Sequence, residues 1–134
     1  MPAPLQIKSV NHVGRLTNHL DLSTAFYRNV LGFRPVKRPD FNFPGAWLYN
    51  YGVMIHLIHA DAVPTTGTTI ETRCDHLALH VDDIQAAEKC LQAHHLAYRK
   101  NRVANTGLVQ IFFHDPDGHH VEIGCYPETP PYTD

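Results

Sequence analysis

Four residues carry the chemistry that can be read from this chain: His12, His56, His76 and Glu122. Histidine supplies 11 of its 134 residues, and imidazole is the commonest metal ligand in proteins. The number alone is weak evidence; the placement is informative. His12 lies 64 positions before His76, and His56 lies 66 positions before Glu122. Each sits inside a short, largely apolar run that reads as a strand. A single polar residue in a strand is usually solvated or hydrogen-bonded. Four equivalent slots holding three imidazoles and one carboxylate instead form a donor set suited to a borderline first-row divalent ion such as Ni, Zn, Mn or Fe. Glu122 is the only acid in the set and so the candidate general base.

The equivalence comes from a unit written twice. Ser9–Leu16 reads as a strand. A helix follows from about Leu22 to Leu31, with Asp21 or Ser23 as cap, Leu22, Ala25, Phe26, Val30 and Leu31 as its apolar face, and Gly32 at C′. Strands are predicted at Phe33–Lys37, Ala46–Tyr49 and Val53–His59, the last two joined by a hairpin at Asn50-Tyr51-Gly52. A Pro, Thr and Gly-rich linker follows, and the order recurs. A strand spans Asp75–Val81, and Asp82 and Asp83 cap a helix with Ile84, Ala87 and Leu91 on one face. Further strands cover Ala97–Arg102, Leu108–His114 and His119–Cys125. The fold class is therefore α+β, two tandem βαβββ modules within one domain of residues 1–134. Module one covers about 8–60, the linker 61–72, module two 73–126, and an extended tail 127–134.

Side chains alternate across a strand. His12 therefore shares a face with Val10, Gly14 and Leu16, and His56 with Met54 and Ile58. His76 shares one with Cys74, Ala78 and His80, and Glu122 with His120. A pseudo-twofold relation between modules would bring the four to a common centre. A module of about 55 residues with one apolar face is marginal alone, so two must pair, in one domain or in an intertwined dimer. Among the other histidines, His19, His59, His94 and His95 read as solvated or off the site face. His80 could line a pocket, and His120 could support Glu122. Arg15, Arg34, Arg38, Lys100 and Arg102 could hold an anionic substrate, and Phe41, Phe43, Trp47, Phe112 and Tyr126 could line a cavity.

Composition excludes several classes. Hydrophobic residues make up 43% and charged residues 18%, with a net charge of −2. That favours a folded domain and gives no basic excess for nucleic acid or an anionic membrane. No run approaches the roughly 18 apolar residues of a membrane span. Three widely spaced cysteines, Cys74, Cys90 and Cys125, read as reduced, buried thiols of a cytoplasmic protein, and Met1–Gln6 carries no signal-peptide pattern. No Gly-x-Gly-x-x-Gly or Walker pattern is present.

Four segments together resemble the vicinal oxygen chelate superfamily of glyoxalases, bleomycin-resistance proteins, fosfomycin-resistance enzymes and extradiol dioxygenases. They are Asn11-His12-Val13, Ala25-Phe26-Tyr27-Arg28-Asn29-Val30-Leu31-Gly32-Phe33, Asp75-His76-Leu77-Ala78-Leu79, and Phe113 to Ile123 with its Asp115-Pro116-Asp117-Gly118 turn. The resemblance covers about residues 8–126. It implies a cup-shaped mixed β-sheet around a divalent metal held by His12, His56, His76 and Glu122, and in many small members a homodimer.

The resemblance points to the glyoxalase I-like branch, a metal-dependent lyase or isomerase acting on a small-molecule substrate. Four protein ligands on a six-coordinate ion leave two adjacent sites for the vicinal oxygens of an α-hydroxycarbonyl, whose enediolate the ion would stabilise. Glyoxalase I carries a carboxylate at the position of His56, and its glutathione-dependent members an Asn at that of Ala60. The thiol adduct as substrate therefore stays open. One alternative is a non-haem Fe(II) extradiol-type dioxygenase using His12, His76 and Glu122 alone. Another is a non-catalytic small-molecule-binding protein like those that confer bleomycin resistance.

Overall fold

The computed structural model describes residues 1–65 and 67–126, and the tail expected at 127–134 lies outside them. The chain divides into two compact units, Met1–Ala60 and Asp61–Asp134. Unit one runs β1 (His12–Thr17), α1 (Leu20–Asn29), β2 (Arg34–Val36), β3 (Gly45–Asn50) and β4 (Val53–His59). Unit two runs β5 (His76–His80), α2 (Ile84–Ala93), β6 (Tyr98–Arg102), β7 (Val109–His114) and β8 (His120–Gly124). Each is an open, mixed, four-stranded sheet, ordered β1-β4-β3-β2 and β5-β8-β7-β6. The first and last strands of each unit pair in parallel, and all other pairs are antiparallel.

Local chemistry accounts for the elements. Tyr51 and Gly52 both take positive φ, 54° and 75°, which is the two-residue turn whose twist suits a hairpin. That turn also fixes where β1 starts. Its partner β4 begins at Val53, so the ladder opens at His12↔Met54, three residues later than the expected Ser9. Asp83 caps α2 as expected, its carboxylate accepting from the N–H groups of Gln85 and Ala86 at 3.0 Å each. Asp82 turns instead to His80.

The expected cap of α1 is not found. Its N-cap is His19, without a side-chain hydrogen bond, and Asp21 lies in the first turn. Ser23 is fully buried against the Thr17 hydroxyl, 2.7 Å away. The buried stripe of α1 is Ser23, Phe26 and Tyr27, continued by Leu31 just past the helix, so Leu22, one residue off that stripe, is 62% exposed rather than part of the apolar face. Gly32 takes the left-handed backbone, φ 79°, two residues after the C-cap Val30.

The core of unit one gathers Phe26, Tyr27, Phe33, Leu48, Ile55 and Leu57; that of unit two, Leu91, Ile111, Phe112, Phe113, Val121 and Ile123. Alternation along β1 and β5 then leaves His12 and His76 on the exposed face. The cysteines depart from expectation: Cys90 and Cys125 are exposed and Cys74 is half-buried. No helix among the described residues is long and apolar enough to cross a membrane.

Candidate functional site

Each sheet brings two of the four candidate ligands together. In unit one the His12 and His56 rings stack with centroids 3.8 Å apart. In unit two His76 Nε2 lies 3.6 Å from Glu122 Oε1. The register is the same in both. His12 pairs with Met54, two residues before His56, and His76 pairs with His120, two residues before Glu122. On the neighbouring strand Trp47 sits opposite His56, and Phe112 opposite Glu122. Among the described residues, no three His, Cys, Asp or Glu side chains come together as a metal-binding group.

The hydrogen bonds set the histidine tautomers. His12 Nδ1 lies 2.8 Å from Asn11 Oδ1, and His76 Nδ1 lies 2.7 Å from the Cys74 carbonyl. A carbonyl oxygen can only accept, so Nδ1 carries the proton in each ring and Nε2 keeps its lone pair. Metal-ligating histidines are oriented in this way, by donating the other ring N–H to an oxygen. His56 Nε2 is buried without any hydrogen-bond partner. A buried nitrogen left so costs about 1–3 kcal/mol, unless a ligand takes it. Burial, and then the neighbouring His12 and the Arg38 guanidinium, push the His56 imidazole below its usual range, which favours the neutral form a metal requires. These atoms fit a divalent ion.

Glu122 is buried, 5% exposed, and both its oxygens are engaged. Tyr126 donates its hydroxyl to Oε2 at 2.6 Å, and Gln110 Nε2 donates to Oε1 at 3.3 Å. Asn101 Nδ2 in turn donates to Gln110 Oε1 at 2.7 Å. Burial and the bond to Glu122 push the Tyr126 phenol up to about 12, so it stays a donor. Sequence reasoning missed Gln110 altogether and took Tyr126 only as a wall. The available signal was the lone polar residue in Val109-Gln110-Ile111-Phe112-Phe113, two residues along the strand from the partner of Glu122.

The remaining candidates divide. Trp47 stacks on His56 at 4.1 Å and 5°. Phe41 and Phe43 stack together at 5.4 Å, with the Arg38 guanidinium over both rings at 4.7 and 4.9 Å. Arg38 is thus the cation beside His56. Phe112 meets the His76 ring edge-on at 5.8 Å. Arg15 lies on the β1 face opposite His12 and is half-buried, so alternation removes it from the His12 face. Arg34 is exposed on β2. Lys100 is ion-paired with Glu88 at 2.9 Å, and Arg102 acts on the same carboxylate. His80 bridges Asp82 and the backbone N–H of Tyr126, both at 2.8 Å. His120 turns to the Glu71 N–H at 2.8 Å and to His114 at 3.1 Å.

A duplicated βαβββ chain, each copy closing its sheet with a parallel pair of first and last strands, defines the fold class. Residues 9–123 match the family model of the Glyoxalase/Bleomycin resistance protein/Dioxygenase superfamily, and the chain belongs to that superfamily. It is 39% identical over 126 residues to Glyoxylase I 4 of Arabidopsis thaliana, covering 90% of this chain and 72% of that protein. Among solved structures it resembles the lactoylglutathione lyase of Agrobacterium tumefaciens, with TM-score 0.67 and 19% identity over 90% of this chain and 95% of that one. It also resembles the fosfomycin resistance protein FosX of Listeria monocytogenes, with TM-score 0.72 and 16% identity over 93% and 96%. At those identities the two structures speak to the fold.

Proposed function

We propose that the two donor pairs together hold one divalent ion, Ni, Zn, Mn or Fe, and that the protein is a metal-dependent lyase or isomerase of the glyoxalase type. Its substrate is a small α-hydroxycarbonyl compound, free or as a thiol adduct. One observation carries this reading: Nε2 of His12, His56 and His76 is in each case the ring nitrogen left for a ligand, by a fixed tautomer in two and by an orphaned atom in the third.

When bound, the ion supplies Lewis-acid stabilisation of negative charge on two adjacent substrate oxygens. The chain's own residues do the rest. Glu122 is the group able to take and return a substrate proton, held in orientation by Gln110 and Tyr126. Arg38 offers a positive charge to an anionic substrate group, and Trp47 and Phe112 wall the two donor pairs with apolar surface. Each sheet supplies two donors where such an ion takes three or four from protein, so two sheets would share it, both from one chain or one from each copy of a homodimer. The 39% identity to a protein named for glyoxalase I supports the same reading.

One observation favours a second reading. His56 is sandwiched between His12 and Trp47, as a wall residue would be. With His56 outside the ion, His12, His76 and Glu122 would make the three-ligand set of a non-haem Fe(II) dioxygenase.

Trp47 is the only tryptophan, so its emission reports on the ring stacked against it. Titration with Ni²⁺ or Co²⁺ is expected to quench it at one ion per site, and His56→Ala to abolish that response. The loaded protein should isomerise the thiol adduct of an α-ketoaldehyde. Oxygen uptake with a catechol, together with metal binding that survives His56→Ala, would favour the dioxygenase instead. Tight aromatic-ligand binding without metal or turnover would favour a binding protein.

A further inference from the structure

We propose that Tyr126 is a positioning residue for Glu122, clamped in place by His80 and Asp82 and seated on Gly124. Tyr126 follows Glu122 by four residues. Had β8 continued, it would lie on the same face but about 13 Å farther along at roughly 3.3 Å per residue, too far to touch the carboxylate. The strand instead ends at Gly124, and the Tyr126 ring folds back over it. A Cβ at position 124 would sit 2.7 Å from the ring Cζ and hydroxyl and 2.9 Å from Cε2, so only glycine leaves room for the ring.

The reversal is pinned from the first strand of the same sheet. The Tyr126 N–H donates to His80 Nδ1 at 2.8 Å. Because Nδ1 accepts there, Nε2 carries the proton and donates to Asp82 Oδ1 at 2.8 Å. The series Asp82, His80, Tyr126, Glu122 thus runs from the exit of β5 to the buried carboxylate. It ends in a hydroxyl-to-carboxylate bond of 2.6 Å, the length of a strong charge-assisted contact. That bond occupies Oε2 and leaves Oε1 as the oxygen turned to His76 Nε2. Gln110, at 3.3 Å, is the weaker hold. Tyr126 therefore selects which oxygen of Glu122 is presented and keeps it from turning.

The inference rests on Glu122 being a metal ligand, and the test separates the two. Co²⁺ affinity, the visible spectrum of the Co²⁺-loaded protein and thermal unfolding of the metal-free protein are compared for wild type, Tyr126→Phe, His80→Ala, Gly124→Ala and Glu122→Gln. Tyr126→Phe keeps the ring over Gly124 and loses only the hydroxyl. It should weaken Co²⁺ binding about 10–100-fold and alter the spectrum while the metal-free protein melts as wild type does. Gly124→Ala, which displaces the ring, and His80→Ala should reproduce the spectral change. Either of them combined with Tyr126→Phe should add little to the single loss, as for groups acting in series. Wild-type affinity and spectrum in Tyr126→Phe, with binding lost in Glu122→Gln, would overturn the positioning role alone. Wild-type binding in Glu122→Gln would overturn it together with the metal set on which it depends.

Discussion

His56 and Glu122 occupy the same position in two separate sheets. Each lies two residues beyond the partner of its sheet's first-strand histidine, across a parallel pair, and each faces an aromatic residue on the next strand. What differs is the filling of the slot. Glu122 has both oxygens hydrogen-bonded, whereas His56 Nε2 is buried and unpartnered. A buried polar atom with no partner is a standing cost in the metal-free protein, of order 1–3 kcal/mol.

Replacing His56 by Phe keeps a flat ring between His12 and Trp47 and removes that atom. The metal-free His56→Phe protein is expected to be more stable than wild type by about 1 kcal/mol, while its Ni²⁺ or Co²⁺ affinity falls. Stability gained where function is lost marks a residue kept for its chemistry. Urea unfolding without metal and calorimetric metal titration measure the two sides. A less stable variant would mean that the imidazole is a packing group.

The element order was legible in local signals: apolar runs and amphipathic stretches in both modules, the Asp83 cap in the second and the Tyr51-Gly52 hairpin in the first. The matching strand positions of His12 and His76, and of His56 and Glu122, were legible because the duplication repeats them. Three things were not. Leu22 was placed on the helix face because apolarity was counted, whereas the buried stripe is anchored by Ser23, whose hydroxyl is satisfied by Thr17. Gln110 and the reversal at Gly124 depend on pairing across strands, which no local pattern carries. Residue type alone places the cysteines in the core, whereas Cys90 is exposed on α2 and Cys125 is exposed just past the end of β8.

The two helices start differently, and their stabilities should respond differently. Asp83 accepts two backbone N–H groups at the start of α2, so Asp83→Ala should cost about 1 kcal/mol. His19 makes no side-chain cap for α1, so His19→Asp should stabilise by about 0.5 kcal/mol. Chemical denaturation of the two variants tests both signs at once, and a loss in His19→Asp would show that the imidazole has a role the cap geometry does not reveal.

Gly45 opens β3 with no room for a side chain. A Cβ there would lie 2.5 Å from the Leu57 carbonyl on β4 and 3.0 Å from the Arg38 guanidinium. A backbone oxygen cannot turn aside as a flexible side chain does, so Gly45→Ala must push β3 away from β4. Overpacking of this kind costs about 1–3 kcal/mol. Because β3 also carries Trp47, the displacement should loosen its stack on His56, and the variant's Trp47 emission should shift along with its lower Tm. A wild-type Tm would mean that the strands separate at no cost.

His114 and His120 face each other at the β7–β8 end, with Nε2 atoms 3.1 Å apart. The Glu71 N–H donates to His120 Nε2, so that nitrogen accepts. Burial holds His114 below its usual range, against the pull of Asp115. Burial and then His114 do the same for His120, against Glu71 and Asp115 and with His76 acting in the same sense. The folded protein therefore resists a proton that the unfolded chain accepts near pH 6.5. The unfolded state binds more protons, so stability rises with pH through this range. It is fully present above about pH 6.5 and falls as the pH drops below it, by up to about 1.4 kcal/mol per pH unit for each proton taken up only on unfolding. Urea unfolding of the metal-free protein between pH 7.5 and 5 should show this slope, and His114→Gln, which cannot take the proton, should flatten it. An unchanged slope in His114→Gln would place the titration elsewhere.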